Sequence, residues 1–308
     1  MIIRQATEED INSIVNLLRL SLGDSLMPKS NGYWKWKHIY NPFGVSPVLV
    51  AIEDNMIVGV RAFMRWEWKK NDEIIKAVRA VDTATHPNYQ GKGIFRSLTM
   101  EMIDLCEKEG VDMIYNTPNQ HSLPGYLKMG WQEAGSLSVG ISINKPFNII
   151  GSLLFEKGRN QFLDNRTHTF NVPENISFFE LNNWRTNYSY DYLIWRYKKI
   201  PNINYYSLRI DKTIAIFRLI KNKYGVELRV CDVVGDLTGL RHTLWSLKNS
   251  VGYDFISIEE QYVNMLPGWL KRSIHFGPNV TIKDLNRSTH DFYQYANWSP
   301  SIGDLEVF

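Results

Sequence analysis

Two glycines at the junction of a predicted strand and a predicted helix are the residues best suited to chemistry in this chain. Residues 81–98 read VDTATHPNYQGKGIFRSL, in which a β-type run ends at a His-Pro pair and a helical pattern begins near Ile94. Glycine lets the backbone approach a ligand closely, and free N–H groups at a helix start attract anions, phosphate above all. The spacing therefore predicts a phosphate-binding loop around Gly91 and Gly93.

The same spacing excludes two common phosphate loops. A P-loop requires Gly, four residues and then Gly-Lys-Ser/Thr, and this pattern is absent. A dinucleotide fingerprint requires Gly-x-Gly-x-x-Gly, but Arg96 stands where the third glycine would be. Taken alone, the motif is equally compatible with a glycine-rich turn that binds nothing. A second motif is needed to distinguish a phosphate-binding loop from such a turn.

The string resembles motif A of the GNAT superfamily of acyl-CoA N-acyltransferases, which reads Gln/Arg-x-x-Gly-x-Gly/Ala after a strand. Residues 90–94 match this motif, whereas Phe95 stands where glycine or alanine is usual in the family. A second block follows in the family's order, with a helical pattern over 97–110, then Asn119, then the run YLKMGW that begins at Tyr126. The two blocks together favour the resemblance over a chance glycine turn.

The resemblance implies a GNAT fold for residues 1 to about 140, with acetyl-CoA or another acyl-CoA as co-substrate and no metal. In the family, the strand before the loop holds the pantetheine through its backbone, the loop amides hold the pyrophosphate, and an Asn contacts the pantetheine amides. The residues that this implies for cofactor binding are Thr83, Ala84, Thr85, Gln90, Gly91, Lys92, Gly93, Ile94, Phe95, Arg96 and Asn119. The charges of Lys92 and Arg96 are equally compatible with a solvated surface.

Amide formation needs an acid for the departing thiolate and a base for the attacking amine. The resemblance implies Tyr126 as the acid, and a core tyrosine with a bonded hydroxyl is the alternative. Asp82, at the start of the strand that leads into the loop, is a candidate base, and a structural carboxylate is its alternative. His121 and the terminal carboxylate of Phe308 are further candidate bases, whereas His86, which precedes a proline, is more typical of a turn.

Similarity between the two halves of the sequence predicts a duplicated domain. WKHIYNP, beginning at Trp36, is repeated as WRYKKIP from Trp195, and Asp82 is matched by Asp232, but the copy lacks the glycine loop. We therefore predict an α/β protein of two tandem GNAT-like domains, each a mixed, mostly antiparallel central sheet flanked by helices, the second being degenerate. The predicted divisions are a catalytic domain at 1–143, a linker at 144–179 and the second domain at 180–308.

The composition excludes several classes of function. The 308 residues are 44% hydrophobic, which is enough for a packed core, and the length favours two domains. A net charge of +3 is too small to indicate a nucleic-acid or membrane partner. Cys106 and Cys231 have no metal-ligand spacing, and the sequence shows no signal peptide and no long apolar span. These features predict a cytoplasmic protein with reduced cysteines.

We predict an N-acyltransferase that moves an acetyl or other acyl group from acyl-CoA to the amine of a small acceptor. Trp66, Trp68 and Trp131 could line an acceptor groove, which would suit an amino sugar, and packing in the core is the alternative. Two other functions stay open, a non-catalytic protein that binds acyl-CoA and a Fem-like transferase that uses aminoacyl-tRNA. The low net charge argues against the second of these. The sequence does not indicate the oligomeric state.

Overall fold

The structure is a computed structural model, and it describes residues 1–23, 28–154, 161–163, 168–179, 182–268, 270–274, 277–286 and 294–306 of the chain. The elements of the first half are β1 (Ile2–Gln5), α1 (Ile11–Leu22), α2 (Asn31–His38), β2 (Val48–Glu53), β3 (Met56–Lys70), β4 (Glu73–Thr85), α3 (Ile94–Lys108), β5 (Met113–Asn116), α4 (Leu123–Lys128), β6 (Gln132–Ser136), β7 (Val139–Ile143) and α5 (Pro146–Leu154). The remaining elements are β8 (Gln161–Leu163), β9 (Arg185–Thr186), α6 (Tyr190–Leu193), β10 (Tyr206–Ile210), β11 (Thr213–Asn222), β12 (Gly225–Gly235), α7 (Leu240–Ser250), β13 (Phe255–Glu259), β14 (Lys271–Ile274), β15 (Asn279–Asp284) and α8 (Ile302–Leu305).

The strands form two mixed sheets. The first has the order β1-β2-β3-β4-β5-β15-β6, with β9 also pairing β3, and the second has the order β10-β11-β12-β13-β7-β14, with β8 also pairing β11. Throughout the described ranges, β4 with β5 and β12 with β13 are the parallel pairs, and the other named pairs are antiparallel. The predicted fold class, α/β with two mostly antiparallel sheets flanked by helices, is confirmed.

Each sheet contains strands from both halves of the chain. β15, from the second half of the chain, lies between β5 and β6 of the first sheet. β7, from the first half, lies between β13 and β14 of the second sheet. Neither half therefore completes its sheet without the other. The divisions predicted at residues 143 and 180 separate the sequence but do not separate the sheets.

The repeated tryptophans meet where the two halves join. Nε1–H of Trp36 donates to the carbonyl of Trp195, and Nε1–H of Trp195 donates to the carbonyl of Trp36, both at 2.7 Å. The two rings stack with their centroids 4.9 Å apart. Such a reciprocal contact is what two copies of one surface form when they meet around a two-fold axis. It agrees with the internal similarity seen in the sequence.

Helix α3 is held close to the first sheet. Ile94, Leu98, Met102 and Cys106 follow one another at one-turn intervals and are buried against the sheet. Gly59 on β3 permits this approach, because a Cβ at that position would lie only 2.6 Å from Cγ2 of Ile94. The first turn of α3 is thereby fixed beside the end of β4.

Strand β4 extends beyond its neighbour β5. The two strands pair only where Ala77–Arg79 faces Met113–Tyr115, whereas β4 continues to Thr85. A bulge at Asp82, whose φ is +32°, interrupts the ladder with β3. As far as the structure describes the chain, the outer edge of β4 beyond Arg79 thus has no strand partner, and its backbone groups can bind an extended ligand.

The C-terminal segment packs between the two sheets. The Arg79 guanidinium donates to the carbonyls of residues 304–305 at 2.7 and 2.9 Å. Glu306 accepts hydrogen bonds from Arg218 and Arg229 at 2.7 and 3.0 Å. Burial raises the pKa of the Glu306 carboxyl, but the two guanidinium charges outweigh it and lower that pKa to about 2. This segment therefore ties the first sheet to the second.

Candidate active site

The predicted phosphate loop has a backbone suited to presenting its amides. Gly91 and Gly93 have φ values of +76° and +80°, a left-handed conformation that glycine adopts without strain. Gly93 caps α3, which begins at Ile94 and has no acidic residue in its first turn. The N–H groups of a first turn lack partners within the helix, and the helix dipole favours an anion there. The loop can therefore hold a phosphate group.

A cavity of about 310 Å³ lies between this loop and the end of β4, and we call it the α3 cavity. Its lining residues are Ser21, Leu22, Thr83, Ala84, Thr85, Tyr89, Gln90, Gly91, Gly93, Ile94 and Phe95. All except Ser21, Leu22 and Tyr89 belong to the predicted cofactor set. Ser21 was missed because α1 is distant in sequence, and its hydroxyl donates to the Thr85 carbonyl at 3.2 Å.

Three predicted cofactor residues lie outside the lining of the α3 cavity. The ammonium of Lys92 lies over a neighbouring tyrosine ring, 4.5 Å from its centroid. Arg96 is exposed on the first turn of α3. Asn119 accepts hydrogen bonds at Oδ1 from the backbone N–H groups of residues 121–122, at 3.0 and 2.9 Å. These bonds fix the turn before α4, so the contact of Asn119 with a cofactor stays a prediction.

Tyr126 on α4 is buried beside the cavity wall. Its side chain is 4% exposed, and its ring meets the ring of Phe95 edge to face with the centroids 5.7 Å apart. The hydroxyl accepts a hydrogen bond from Nη2 of Arg61 at 2.9 Å. A hydroxyl that accepts such a bond still has its own proton to donate. Tyr126 does not line the α3 cavity itself, and Phe95 is the lining residue that its ring meets.

Sequence reasoning missed Arg61, which lies on β3 and is fully buried. Its Nη1 donates to Oγ1 of Thr83 at 2.8 Å, so one guanidinium joins the cavity wall to the predicted acid. The guanidinium also lies 4.8–5.2 Å from the ring centroids of Phe63, Phe95 and Tyr126. An arginine within a β-type run gives no spacing signal, because only its register opposite Thr83 brings it to this place.

The candidate base Asp82 is held in an ion pair with α2. Its Oδ2 lies 2.8 Å from Nζ of Lys37 and 2.8 Å from Nε2 of His38. Burial raises the pKa of the Asp82 carboxyl, but these two partners outweigh burial and hold that pKa well below its ordinary value. The matching Asp232 accepts a hydrogen bond at 2.8 Å from Tyr197, which takes the place of His38 in the repeat. The contacts favour a structural role for Asp82, because so stable a carboxylate is a weak base.

Replacing Asp82 with asparagine should destabilise the fold by about 3 kcal/mol, because the buried Lys37 ammonium loses its counter-charge. The folded-state pKa of Asp82 is lowered, so its stabilisation is complete above about pH 5 and is lost as the pH falls below its unfolded value near 4. Urea unfolding at pH 7 and pH 3 should show a flatter pH dependence for the variant than for the wild type. Asp54→Asn, in the exposed turn between β2 and β3, is the matched control. Equal losses in both variants would contradict the structural role.

The other candidate bases are two histidines and the terminal carboxylate, and none of them lines the described part of the α3 cavity. His121 is exposed before α4. His86 accepts a hydrogen bond at Nδ1 from the backbone N–H of Asn88 at 3.2 Å, as expected for a turn residue. Phe308 lies outside the described residues. Within those residues, the lining of the α3 cavity contains no carboxylate and no imidazole.

The three tryptophans predicted to line an acceptor groove lie in the core. Trp66, Trp68 and Trp131 are at most 2% exposed. Trp66 donates from Nε1 to Oγ1 of Thr186 at 3.0 Å, and the ring of Trp68 packs on that of Trp298 with the centroids 4.6 Å apart. The prediction of an acceptor groove lined by these rings is therefore wrong, because the rings are not accessible to a ligand. They instead stabilise the sheets, since burying a large aromatic ring is favourable.

Two further sequence predictions concern metals and membranes. Among the residues with described positions, no group of three or more His, Cys, Asp or Glu side chains is placed to hold a metal ion. None of the helices in the described part of the chain is both long and apolar enough to cross a membrane. Cys106 and Cys231 are both buried free thiols, and burial raises the pKa of Cys106 to about 12.

Comparison with known families finds one similarity, which lies in the first half of the chain. Residues 2–134 match the model of the family described as acetyltransferase (GNAT) domain, a range that includes the glycine loop, the α3 cavity and Tyr126. This stretch of the chain is therefore similar to GNAT acetyltransferase domains. No curated protein matches the chain.

Solved structures resemble almost the whole chain. A probable N-acyltransferase of unknown function from Enterococcus faecalis aligns with a TM-score of 0.63 at 10% identity, covering 92% of this chain and 73% of its own. A GCN5-related N-acetyltransferase from Anabaena variabilis gives 0.62 at 15% identity, with coverages of 92% and 73%. Eis1 from Mycobacterium abscessus gives 0.58 at 11% identity, with coverages of 93% and 74%. At these identities the likeness shows the fold alone.

Proposed function

We propose that this protein is an acyl-CoA-dependent N-acyltransferase, most simply an acetyltransferase, that acts on the amine of a small acceptor. The observation that carries the proposal is the α3 cavity, where the glycine loop, the start of α3 and the free edge of β4 meet. An acyl-CoA contains an anionic pyrophosphate, and the pantetheine arm that extends from it carries amide groups. The loop suits the first part, and an unpaired strand edge suits the second.

The binding mode follows from this arrangement. The amides of Gly91 to Arg96 would take the pyrophosphate, with the side chain of Gln90 beside them. The backbone of residues 83–85 would pair with the pantetheine and bring the thioester to Thr83. The thioester carbonyl would then lie where backbone N–H groups can stabilise the oxyanion that forms on attack.

The chemistry needs a proton donor for the thiolate of CoA. Tyr126 is the proposed donor, because its hydroxyl is linked through Arg61 to Thr83 of the cavity wall. The contacts of Asp82 make it unsuitable as the base that deprotonates the amine. None of the described residues that line the cavity is a carboxylate or an imidazole. In this proposal, water therefore takes the proton from the amine and carries it out of the cavity.

Among the described residues of the second half, the features at the position of the α3 cavity differ from those of a cofactor site, which supports a degenerate copy. β12 also runs beyond its parallel pairing with β13, but Phe178 bridges Gly235 at its outer edge. The N–H of Gly239, at the start of α7, donates to Oγ1 of Thr213 at 3.1 Å. A Cβ on Gly239 would lie 2.6 Å from that oxygen, so the Thr213 side chain already occupies the space beside this N–H group.

One acetyl-CoA should therefore bind per chain. Native mass spectrometry of the protein with increasing acetyl-CoA should show a single adduct that saturates. Gly239→Ala, which changes the start of α7, should leave that stoichiometry at one. A second adduct of comparable affinity would contradict the single-site proposal.

The acceptor is proposed to be a small amine that enters near Thr83. Since the three tryptophans are in the core, they do not favour an amino sugar over other amines. Release of free thiol from acetyl-CoA, measured against a panel of amino sugars, polyamines and amino acids, tests the activity. Binding without release for any amine would favour the second candidate function, an acyl-CoA-binding protein, which the absence of a base among the described lining residues also favours.

A further inference from the structure

Arg61 carries a buried charge that no carboxylate of the described residues balances. The side chain is 0% exposed, and no Asp or Glu of the described residues lies within salt-bridge distance of it. Its Nε has no hydrogen-bond acceptor in the same part of the chain. Arg218, which is also buried, instead pairs with Glu306 at 2.7 Å. Arg61 therefore differs from a buried arginine whose charge is cancelled by its neighbour.

Keeping such a charge in the core is unfavourable unless the surroundings compensate it. Three aromatic faces and two hydroxyl oxygens do so here. The rings belong to Phe63, Phe95 and Tyr126, and the oxygens are Oγ1 of Thr83 and the hydroxyl of Tyr126. All of these groups are neutral. The net positive charge is thus retained, and it lies next to the hydroxyl proposed as the acid.

We propose that Arg61 is the positioning residue of the acyl transfer, acting through Tyr126. This inference rests on the proposed function. As the tetrahedral intermediate collapses, the C–S bond breaks and its electron pair stays on sulfur. The O–H bond of Tyr126 then breaks, and its proton forms the S–H bond of CoA. The phenolate left on Tyr126 is 2.9 Å from the guanidinium, which stabilises it until solvent returns a proton.

The fork of the guanidinium also explains why an arginine stands here. Nη1 holds Thr83, which lines the α3 cavity, while Nη2 holds the Tyr126 hydroxyl. Because Nη2 occupies a lone pair of the hydroxyl, the phenolic proton must point elsewhere. A lysine would supply the charge but could not reach two acceptors in this fixed geometry. Phe95, the departure from the family motif, is part of the same group, since its ring faces both Arg61 and Tyr126.

A double-mutant cycle tests whether Arg61 acts through Tyr126. Arg61→Met, Tyr126→Phe and the double variant are compared with the wild type for kcat and for the KM of acetyl-CoA. Arg61→Met should lower kcat about 100-fold, within the range of general acid catalysis, and change KM less than threefold. In the Tyr126→Phe background the same change should lower kcat less than threefold. Independent losses that multiply would overturn the inference.

Two further variants separate this role from packing. Arg61→Lys keeps the charge and should recover at least tenfold of the kcat lost in Arg61→Met. If Arg61→Met does not fold, Arg61→Lys alone carries the cycle, with an expected kcat loss of about tenfold that disappears in the Tyr126→Phe background. Arg79→Met, at a buried arginine on β4 that binds the C-terminal segment, is the matched control, and its effect should be the same in both backgrounds.

The outcomes distinguish the inference from the proposed function. If the wild type releases no thiol with any amine, the acyltransferase proposal fails and the inference fails with it. If the wild type is active but Tyr126→Phe keeps its kcat, the roles of Tyr126 and Arg61 are both overturned, while acyl transfer itself stands. If Tyr126→Phe loses activity but the cycle is additive, only the role of Arg61 is overturned.

Discussion

Replacing both Gly91 and Gly93 with glutamate should lower the affinity for acetyl-CoA at least 100-fold. The left-handed φ values of the two glycines strain any residue with a Cβ, by roughly 1–2 kcal/mol at each position. A Cβ would meet no atom within 4 Å at either position, so the variant can fold, but each new carboxylate would stand among the amides proposed to hold the pyrophosphate. Like charges then repel the ligand at the start of α3, where anions are otherwise favoured. Calorimetric titration measures the loss.

The control lies at the other end of the same helix. Gly110 follows α3, has a φ of +68°, and would also accept a Cβ without a contact inside 4 Å. Gly110→Glu therefore adds a comparable strain and the same charge to α3, but far from the cavity. It should bind acetyl-CoA within twofold of the wild type. Equal losses in the two proteins would mean that the glycine loop affects stability and does not bind phosphate.

Tyr126→Phe should lower kcat by 100- to 1,000-fold while leaving acetyl-CoA binding nearly intact. The variant removes the proton donor for the departing thiolate, and general acid catalysis of this kind contributes about that factor. The ring and its contact with Phe95 are retained, and no lining residue of the α3 cavity is changed. Binding measured by calorimetry and turnover measured by thiol release together separate the two effects.

Tyr115→Phe is the matched control for Tyr126→Phe. Tyr115 is also a fully buried tyrosine, on β5, and its hydroxyl has no hydrogen-bond partner among the described residues. Its removal should change kcat less than twofold. If Tyr126→Phe behaves in the same way, Tyr126 is a core tyrosine and not the acid.

The parts of the site that could be predicted from sequence are those whose residues lie close together along the chain. The glycine loop, the start of α3 and the strand end at residues 83–85 are contiguous, so their motif places them together before any fold is known. The internal similarity that begins at Trp36 and Trp195 likewise predicted a repeat, and the two side chains form a reciprocal contact.

The remaining features depend on contacts between distant segments. No local pattern in the sequence indicates that β15 joins the first sheet and β7 the second. The residues of a strand show which of its faces is buried but not which strand it pairs with. Arg61 reaches Thr83 and Tyr126 only through the register of β3 with β4. The sequence makes Asp82 a plausible base, but only the fold shows that its carboxylate is paired with Lys37 of α2. Pairing across the sheet and packing between layers decide these roles.

The central claim is that the α3 cavity binds acyl-CoA, and calorimetric titration of the wild-type protein with acetyl-CoA tests it most directly. The account predicts micromolar binding that is lost in the Gly91→Glu, Gly93→Glu variant and kept in Gly110→Glu. No binding by the wild type at millimolar acetyl-CoA would contradict it, and the GNAT fold would then serve another ligand.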